Sequence, residues 1–345
     1  NYSTLISTKA SRICLATEGE PVMEFGLRRA QGPDGGLTGS RAAYIGGCSG
    51  TSNVLAGKLY GIPVLGTHAH SWVMAFPDEL EAFRAYCQIY PDNCTLLVDT
   101  YDVLKCGIPN AITAFKELRE TNPDMRAAIR IDSGDLAKLS KGAYKLLTDA
   151  GFDDPLIIAS NDLDELLIAD IKRQGARING WGVGTHLITS GDTPALTGVY
   201  KLTAVKPDGA WIPRIKLSSN IAKLTNPGRK QVYRVSDDSG TPLGDVMVDV
   251  TEEPPTAGQV TMYDQKQLLH TIRLTGSEVM PLMEQIVCNG AVCARDESIQ
   301  TIRARVQKQI NSLSPEMKRL RNPDVYPVGL SPALAQTKQD LIKSV

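Results

Sequence analysis

The chain has 345 residues, enough for roughly two domains of ordinary size. Its 37 Lys and Arg residues nearly balance its 38 Asp and Glu residues, which excludes a strongly basic surface for a nucleic-acid backbone or an acidic membrane. The 42% hydrophobic content excludes a disordered chain, so we expect a globular protein with a sizeable core.

A repeating pattern of an apolar run followed by an amphipathic stretch extends from about residue 60 to about residue 205. The runs are apolar throughout, which is typical of parallel strands buried on both faces, and they start about 30 residues apart, the length of a strand–helix–strand unit. The predicted strands are 62–65, 95–98, 127–131, 155–159 and 178–183, with 22–27 and 200–205 as further candidates. The predicted helices are 76–90, 111–118, 136–147 and 163–171. Five such units favour an irregular, TIM-like α/β barrel over the alternative, an open doubly wound sheet.

The sequence changes character after about residue 210. Two β-rich runs, 231–235 and 245–250, flank the turn residues 237–240 and predict a hairpin. Residues 251–258 predict a loop, and 312–345 carries helical patterns interrupted by Pro323 and Pro327. We therefore expect a barrel domain over 1–210 and a smaller α+β domain over 211–345.

The seven cysteines include no C-x-x-C pair, so neither a disulfide framework nor a zinc knuckle is predicted. No apolar run is long enough for a membrane span, and residues 1–11 do not resemble a signal peptide. We expect a cytoplasmic protein with reduced thiols and with no nucleic-acid or membrane partner.

Polar residues follow the predicted strands at the end where a βα barrel carries its chemistry. They form five groups: Gly66-Thr67-His68-Ala69-His70-Ser71, Asp99-Thr100, Arg130-Ile131-Asp132-Ser133-Gly134-Asp135, Ser160-Asn161-Asp162 and Gly182-Val183-Gly184-Thr185-His186. The last two groups are compatible with a phosphate cradle, although glycines of ordinary turns would give the same pattern.

Two carboxylates, Asp99 and Asp132, end neighbouring predicted strands and suit a Mg²⁺ ion that also contacts substrate phosphates. The alternatives are a turn residue for Asp99 and a helix N-cap for Asp132. His68 and His70 have the spacing of a metal pair but lack a third ligand, so a single histidine acting as nucleophile or phosphoryl acceptor is the better hypothesis. A histidine that only hydrogen-bonds locally is the alternative.

Paired arginines, Arg28 and Arg29, follow the run 22–27 and precede a glycine-rich loop, 31–36. Such a pair fits bidentate recognition of phosphate or pyrophosphate, with a surface ion pair as the alternative. Lys201 is a further candidate anion contact. The chain has no Walker loop, nucleophile elbow or dinucleotide fingerprint, and the remaining set indicates a phosphorylated sugar substrate with Mg²⁺.

Seven motifs resemble the signature of the nicotinate phosphoribosyltransferase family, in order and with matching spacing over about 20–335. They are EFGLRRAQGPDGG at 24–36, GTHAHS at 66–71, LVDTY at 97–101, RIDSGDL at 130–136, GVGT at 182–185, GVYKL at 198–202 and LSPE at 313–316. The resemblance implies a type II phosphoribosyltransferase fold working as a homodimer, with sites near the subunit interface. It also implies that nicotinate and phosphoribosyl pyrophosphate form nicotinate mononucleotide and pyrophosphate, with coupled ATP hydrolysis, in the salvage route to NAD.

The resemblance also implies a role for each matching residue. His70 resembles the histidine that ATP transiently phosphorylates, and Thr67 and Arg130 resemble the nicotinate contacts. Arg28 and Lys201 resemble contacts to the pyrophosphate side, and Asp132 and Asp99 resemble the groups that hold the ribose hydroxyls and Mg²⁺. The residues that resemble the cradle of the 5′-phosphate are Ser160, Asn161, Gly182, Gly184 and Thr185.

The family carries a longer segment before the motif at 24–36, with an Asp-Leu-Tyr sequence that has no counterpart here. We therefore expect the smaller domain to be incomplete and the chain to be a fragment or one part of a split enzyme. The alternatives for function are a catalytically incomplete fragment or partner subunit, a sibling enzyme acting on nicotinamide or quinolinate, and a barrel lyase or aldolase, for which Lys201 is the one weak Schiff-base candidate.

Overall fold

A computed structural model describes residues 1–191, 193–218 and 224–344 of the chain. The chain divides into two compact units, the first comprising Asn1–Leu196 with Ile299–Gln307 and the second Thr197–Ser298 with Lys308–Val345. The division into domains over 1–210 and 211–345 stays a prediction.

The first unit is built on one parallel sheet. Its strands are β1 (Val22–Glu24), β2 (Gly50–Thr51), β3 (Thr95–Leu97), β4 (Ala128–Ile131), β5 (Leu156–Asn161) and β6 (Gly180–Val183). They pair in the order β2-β1-β6-β5-β4-β3 and curl into a half-barrel, which confirms the predicted α/β class. The predicted strand 62–65 is reduced to a single bridge from Val64 to Thr51, and the predicted strand 22–27 ends at Glu24.

Helices and helical turns connect the strands of this unit. They are α1 (Tyr2–Ala16), a 3-10 turn (Leu27–Arg29), α2 (Gly32–Gly46), α3 (Val54–Tyr60), α4 (His70–Met74), α5 (Glu79–Ile89), a π-helical turn (Val103–Gly107), α6 (Ile108–Thr121), α7 (Leu136–Asp149), α8 (Glu165–Arg173) and α9 (Thr185–Ile188). All four predicted helices between strands are present, as α5 to α8, because buried apolar residues recur along one face of each.

The predicted loop 31–36 is wrong, because these residues include the first turn of α2. Pro33 is compatible with a first helical turn, where its missing N–H has no intrahelical partner. The glycines of this helix permit close packing: a Cβ on Gly39 would lie 2.2 Å from Cδ1 of Ile188. The glycine and proline content of residues 31–36 favours a loop, but packing against neighbouring residues stabilises the helix.

The helix α10 (Ile299–Ser312) contributes its first residues to the first unit. The Arg303 guanidinium donates hydrogen bonds to the carbonyls of Gly47 at 2.8 Å and Cys48 at 2.6 Å, and also to that of Tyr44. It also lies 4.4 Å from the centre of the Tyr44 ring. Arg303 thereby satisfies carbonyls that the end of α2 leaves without intrahelical partners.

The second unit contains a mixed sheet and two small hairpins. Its elements are β7 (Ala204–Val205), β8 (Ile212–Pro213), β9 (Lys230–Ser236), β10 (Pro242–Asp249), β11 (Gly258–Asp264), β12 (Thr271–Gly276), β13 (Glu278–Pro281), β14 (Val287–Cys288), β15 (Ala291–Val292), β16 (Val328–Leu330) and α11 (Pro332–Lys343). The sheet order is β12-β11-β16-β10-β9-β13, with β16 parallel to β10. One buried cluster of this unit comprises Val235, Val246, Val248, Val260, Met262 and Leu274, and another comprises Leu330, Leu334 and Ala335.

The structure confirms the predicted hairpin as β9 and β10, which pair antiparallel. The candidate barrel strand 200–205 is wrong, because only Ala204–Val205 is extended and it pairs with β8. The helical prediction for 312–345 is correct only for α11; residues 313–327 form no helix, and β16 follows Pro327. None of the helices within the described ranges is long and apolar enough to cross a membrane.

Candidate active site

A cleft of about 510 Å³ opens at the carboxyl ends of the parallel strands. Its lining residues are Phe25, Leu27, Arg28, Arg29, Ser52, Gly66, Thr67, His68, Ala69, Arg130, Asp132, Ser160, Asn161, Asp162, Gly182, Gly184 and Thr185. Most of the residues proposed from the strand ends therefore share one cavity, because parallel strands present their carboxyl ends at the same edge.

His70, Asp99 and Asp132 form a close group beside this cleft. Nε2 of His70 lies 3.9 Å from Oδ1 of Asp99 and 3.8 Å from Oδ2 of Asp132. Nδ1 of His70 is 3.1 Å from Oγ1 of Thr100, so this nitrogen has a hydrogen-bond partner. The side chain of Asp99 is 2% exposed, whereas those of Asp132 and His70 are 31% and 40% exposed. A buried carboxylate thus supports two groups that solvent or a substrate can reach.

One oxygen of each of these two carboxylates accepts hydrogen bonds that fix the side chain. Oδ2 of Asp99 accepts hydrogen bonds from the Asp132 N–H at 2.9 Å and the Ser133 hydroxyl at 2.6 Å. Oδ1 of Asp132 accepts a short hydrogen bond from the Ser160 hydroxyl. The helix-cap alternative for Asp132 is wrong, because Asp135 accepts the hydrogen bond from the Lys138 N–H and caps α7. Asp132 is therefore free to face the cleft.

The remaining oxygens, Oδ1 of Asp99 and Oδ2 of Asp132, both lie within 4 Å of His70 Nε2. Oδ1 of Asp99 is buried without a hydrogen-bond partner. Within residues 1–191, 193–218 and 224–344 no group of three or more His, Cys, Asp or Glu side chains is arranged to hold a metal. Two carboxylate oxygens fit an ion such as Mg²⁺, which takes one or two carboxylates and completes its shell with water and phosphate oxygens.

His68 does not share a ligand site with His70. Its Nε2 accepts a hydrogen bond from the Leu97 N–H at 3.0 Å, and its ring packs edge-on against Tyr86. Burial lowers the pKa of His68 to about 4, so the ring is neutral at physiological pH. The local-hydrogen-bond alternative is therefore right for His68, and the metal-pair hypothesis is wrong.

We expect His68 to make the free energy of unfolding pH-dependent. The folded-state pKa of about 4 lies below the ordinary value of 6.5, so the unfolded chain binds the proton more readily and stability falls as the pH drops from about 6.5 to 4. Urea unfolding at pH 7 and pH 5 should differ by about 2 kcal/mol through this residue. The His68→Gln variant, whose amide oxygen is an alternative acceptor for the Leu97 N–H, should remove that part of the difference; an unchanged difference would contradict the assignment.

Arg130, the penultimate residue of β4, supplies a cation to the cleft. Its Nε is buried without a hydrogen-bond partner among the described residues. Its guanidinium carbon lies 5.8 Å from the centre of the Phe25 ring. Burial lowers the pKa of Arg130, and the positive charge of Arg28 lowers it further, whereas the carboxylates of Asp132 and Asp99 raise it. The guanidinium nevertheless remains charged at neutral pH. This arrangement leaves a half-buried positive charge at the wall of the cavity.

A glycine on β6 makes room for the aromatic ring beside Arg130. A Cβ on Gly182 would lie 2.5 Å from Cε2 of Phe25, a distance that would displace the ring. Gly184 is similarly close to the main chain, since a Cβ there would lie 3.1 Å from the carbonyl oxygen of Phe25. Packing of the cleft wall around Phe25 is therefore enough to explain these two glycines, and close approach of a ligand to the main chain is a second explanation.

A buried carboxylate to which the sequence analysis assigned no role, although it begins the motif 24–36, supports the turn that carries Arg28. Glu24 is fully buried at the end of β1, and it accepts hydrogen bonds from the Gly26 N–H and from the hydroxyls of Ser40 and Thr51. Gly26 directly precedes the 3-10 turn Leu27–Arg29. The sequence did contain a signal for this role of Glu24, because the residue lies inside an apolar run. A carboxylate in such a run is expected to be buried only where hydrogen-bond donors surround it.

The other predicted residues divide between the two units. Thr67, Ser160, Asn161 and Thr185 line the cleft of the first unit, whereas Lys201 is an exposed residue of the second unit. Phe25, Gly66 and Asp162 also line the cleft; each belongs to a motif or strand-end group of the sequence analysis, which gave it no individual role. Ser52 lines the cleft and lies outside all of these motifs, so no local sequence signal indicated it.

The half-barrel fold and the cleft are those of an α/β enzyme whose site combines arginines with strand-end carboxylates. The family model described as the nicotinate phosphoribosyltransferase (NAPRTase) family matches residues 21–243, and the model of the nicotinate phosphoribosyltransferase C-terminal domain matches 229–338. The chain therefore belongs to the nicotinate phosphoribosyltransferase family.

Individual relatives agree with this assignment. The nicotinate phosphoribosyltransferase of Bacillus subtilis is 45% identical over 346 residues, covering 100% of this chain and 70% of that protein. The crystal structure of human nicotinic acid phosphoribosyltransferase is similar with a TM-score of 0.82 and 32% identity, covering 99% of this chain and 74% of that chain. A nicotinate-nucleotide pyrophosphorylase from Pyrococcus furiosus is similar with a TM-score of 0.66 and 25% identity, covering 90% of this chain and 70% of that chain.

Proposed function

We propose that this chain transfers a phosphoribosyl group from phosphoribosyl pyrophosphate to nicotinate, giving nicotinate mononucleotide and pyrophosphate. The observation that carries the proposal is Arg130: its half-buried guanidinium lines the cleft, and its Nε is buried without a hydrogen-bond partner among the described residues. A guanidinium pairs with a carboxylate through two parallel hydrogen bonds, so the ring carboxylate of nicotinate suits this position. Phe25 and Thr67 line the same cleft and supply a flat apolar surface and a hydroxyl for the ring.

The phosphoribosyl side of the substrate requires groups that bind anions and sugar hydroxyls. We assign the 5′-phosphate to Ser160, Asn161, Gly182, Gly184 and Thr185, which line one part of the cleft. Arg28, on the turn supported by Glu24, is assigned to the pyrophosphate. Lys201, in the second unit, is assigned the same role by family resemblance alone.

The chemistry then proceeds by positioning and charge neutralisation. The ring nitrogen of nicotinate attacks the anomeric carbon, the new C–N bond forms, and the bond to the leaving pyrophosphate breaks. Positive charge develops on the ribose in the transition state, where the carboxylates of Asp132 and Asp99 stabilise it. Arg28 neutralises the negative charge of the leaving pyrophosphate. Since pyrophosphate is a good leaving group, orientation supplies much of the rate enhancement.

Asp99 and Asp132 would hold Mg²⁺ through the two oxygens that face His70. The ion, when bound, neutralises phosphate oxygens and so assists departure of the leaving group. The two carboxylates would position the ion. Asp99 keeps Asp132 oriented, because Oδ2 of Asp99 accepts a hydrogen bond from the backbone N–H of Asp132.

We assign His70 as the residue that ATP phosphorylates, with ATP acting as a co-substrate. Its Nδ1 has Thr100 as a hydrogen-bond partner, which leaves Nε2 as the nitrogen for phosphoryl transfer. The N–P bond forms as the bond between the β- and γ-phosphates breaks and ADP departs. We further propose that the enzyme works as a homodimer in the cytoplasm and serves the salvage route to NAD.

Product formation by the purified chain tests the proposal. We expect nicotinate mononucleotide from nicotinate, phosphoribosyl pyrophosphate, Mg²⁺ and ATP, measured by liquid chromatography, and little product with nicotinamide or quinolinate in place of nicotinate. Turnover with quinolinate but not with nicotinate would overturn the substrate assignment. A folded chain that binds nicotinate without turnover would favour the alternative of a catalytically incomplete part of such an enzyme.

A further inference from the structure

Two cysteines of the first unit lie side by side, away from the proposed site. The Sγ atoms of Cys87 and Cys94 are 3.0 Å apart, and each residue is 4% exposed. One thiol donates a hydrogen bond to the other sulfur. A disulfide bond would require the two sulfurs to approach by about 1 Å more.

The surrounding backbone holds the two sulfurs in this position. Cys87 lies on the buried face of α5, and Cys94 directly precedes β3. The connection between them is fixed by Asn122, whose amide donates to the Pro91 carbonyl at 3.2 Å and to Asp92 at 3.3 Å. The thiols are therefore kept together by the fold.

A cavity borders Cys94, whose sulfur lies 3.0 Å from that of Cys87. Cys94 lines a cavity of about 480 Å³ together with Met23, Val64, Leu65, Thr95, Arg126 and other residues near the amino ends of the parallel strands. A molecule the size of hydrogen peroxide fits this space. The hydrogen bond from Cys94 lowers the pKa of the Cys87 thiol and raises that of Cys94, so Cys87 is the sulfur that forms a thiolate first.

We propose that Cys87 and Cys94 form a redox modification site, a dithiol that hydrogen peroxide converts into an intramolecular disulfide. The Cys87 thiolate attacks a peroxide oxygen: the S–O bond forms, the O–O bond breaks, and the departing hydroxide takes up a proton to give water. The Cys94 sulfur then attacks the Cys87 sulfur, the S–S bond forms, and the S–O bond breaks with loss of a second water. Two thiols are oxidised by two electrons and one peroxide is reduced to two waters.

Peptide mapping of the full chain tests this proposal without a variant. Trypsin cleaves after Arg84 and Lys105, so peptide 85–105 contains Cys87 and Cys94 and no other cysteine. After peroxide treatment, unfolding and alkylation with iodoacetamide, we expect this peptide to be unalkylated and lighter by two hydrogen atoms than the dithiol form. Dithiothreitol before alkylation should restore two alkylated cysteines. Closure of this short loop should also raise Tm by about 5 °C.

Two results would overturn the proposal. In the first, both thiols of peptide 85–105 stay fully alkylatable while the exposed Cys288 and Cys293 are oxidised. In the second, Cys87 accumulates as sulfinic acid while Cys94 stays a thiol, which would mean that the sulfurs do not couple.

A pair of variants tests the order of the two steps. In Cys94→Ser we expect Cys87 to form a sulfenic acid that dimedone traps, because the second thiol is missing. Cys293→Ser, which removes an exposed thiol, is the matched control and should leave disulfide formation in peptide 85–105 unchanged. Trapping at Cys94 in Cys87→Ser but none at Cys87 in Cys94→Ser would overturn the assignment of the attacking sulfur.

Discussion

Replacing Arg130 with alanine should raise the KM for nicotinate about 100-fold, since losing one partner of a desolvated, hydrogen-bonded charge pair costs about 3 kcal/mol. The guanidinium lines the cleft and its Nε has no hydrogen-bond partner in the described structure, so it can donate to the ring carboxylate. The KM for phosphoribosyl pyrophosphate should change far less. Steady-state kinetics with each substrate varied in turn measures both values.

Two further variants sharpen this experiment. Arg130→Lys keeps the charge but loses the planar two-point contact, so its KM for nicotinate should lie between those of the wild type and Arg130→Ala. Arg126→Ala is the matched control, because Arg126 precedes the same strand at its opposite end and pairs with Asp154 on the surface at 2.9 Å. Equal increases in the two KM values of Arg130→Ala would show that this residue does not contact the ring carboxylate.

The strand-end residues were predictable because one rule links sequence to space. Parallel strands covered by helices place their carboxyl ends at one edge, so Arg130 and Asp132 had to lie near Ser160 and Gly182 once the strands were recognised. The orientation of each side chain was not predictable in the same way. Asp132 faces the cleft only because Asp135 caps α7, and either aspartate is an acceptable N-cap from the sequence alone.

Parts of the fold depend on contacts between residues that are distant in sequence. The strand β16 has three residues and inserts between β10 and β11, so its pairing partners lie about 80 and 65 positions earlier and no local periodicity indicates it. The helix α2 is rich in glycine, and its stability comes from packing against neighbours such as Ile188. Local patterns identified the elements with long apolar faces and missed those that tertiary contacts stabilise.

Replacing His70 with alanine should abolish the dependence of product formation on ATP and leave slow transfer at the level of wild-type enzyme assayed without ATP. The reason is that Nε2 of His70 is the ring nitrogen left without a hydrogen bond, beside the free oxygens of Asp99 and Asp132. Measuring ADP and nicotinate mononucleotide in the same reaction gives the coupling ratio. A His70→Ala enzyme that still forms ADP in proportion to product would rule out the phosphohistidine.

A threonine variant separates loss of the imidazole from loss of its orientation. Thr100→Val keeps His70 but removes the partner of Nδ1, so the ring can carry its proton on either nitrogen and coupling should fall without disappearing. Thr100→Ser restores the hydroxyl and should restore coupling. If Thr100→Val and Thr100→Ser lose coupling equally, the hydroxyl does not orient the ring; if neither loses it, another group fixes the proton. In both cases the His70→Ala result still decides whether the histidine itself is phosphorylated, because that variant removes the acceptor nitrogen.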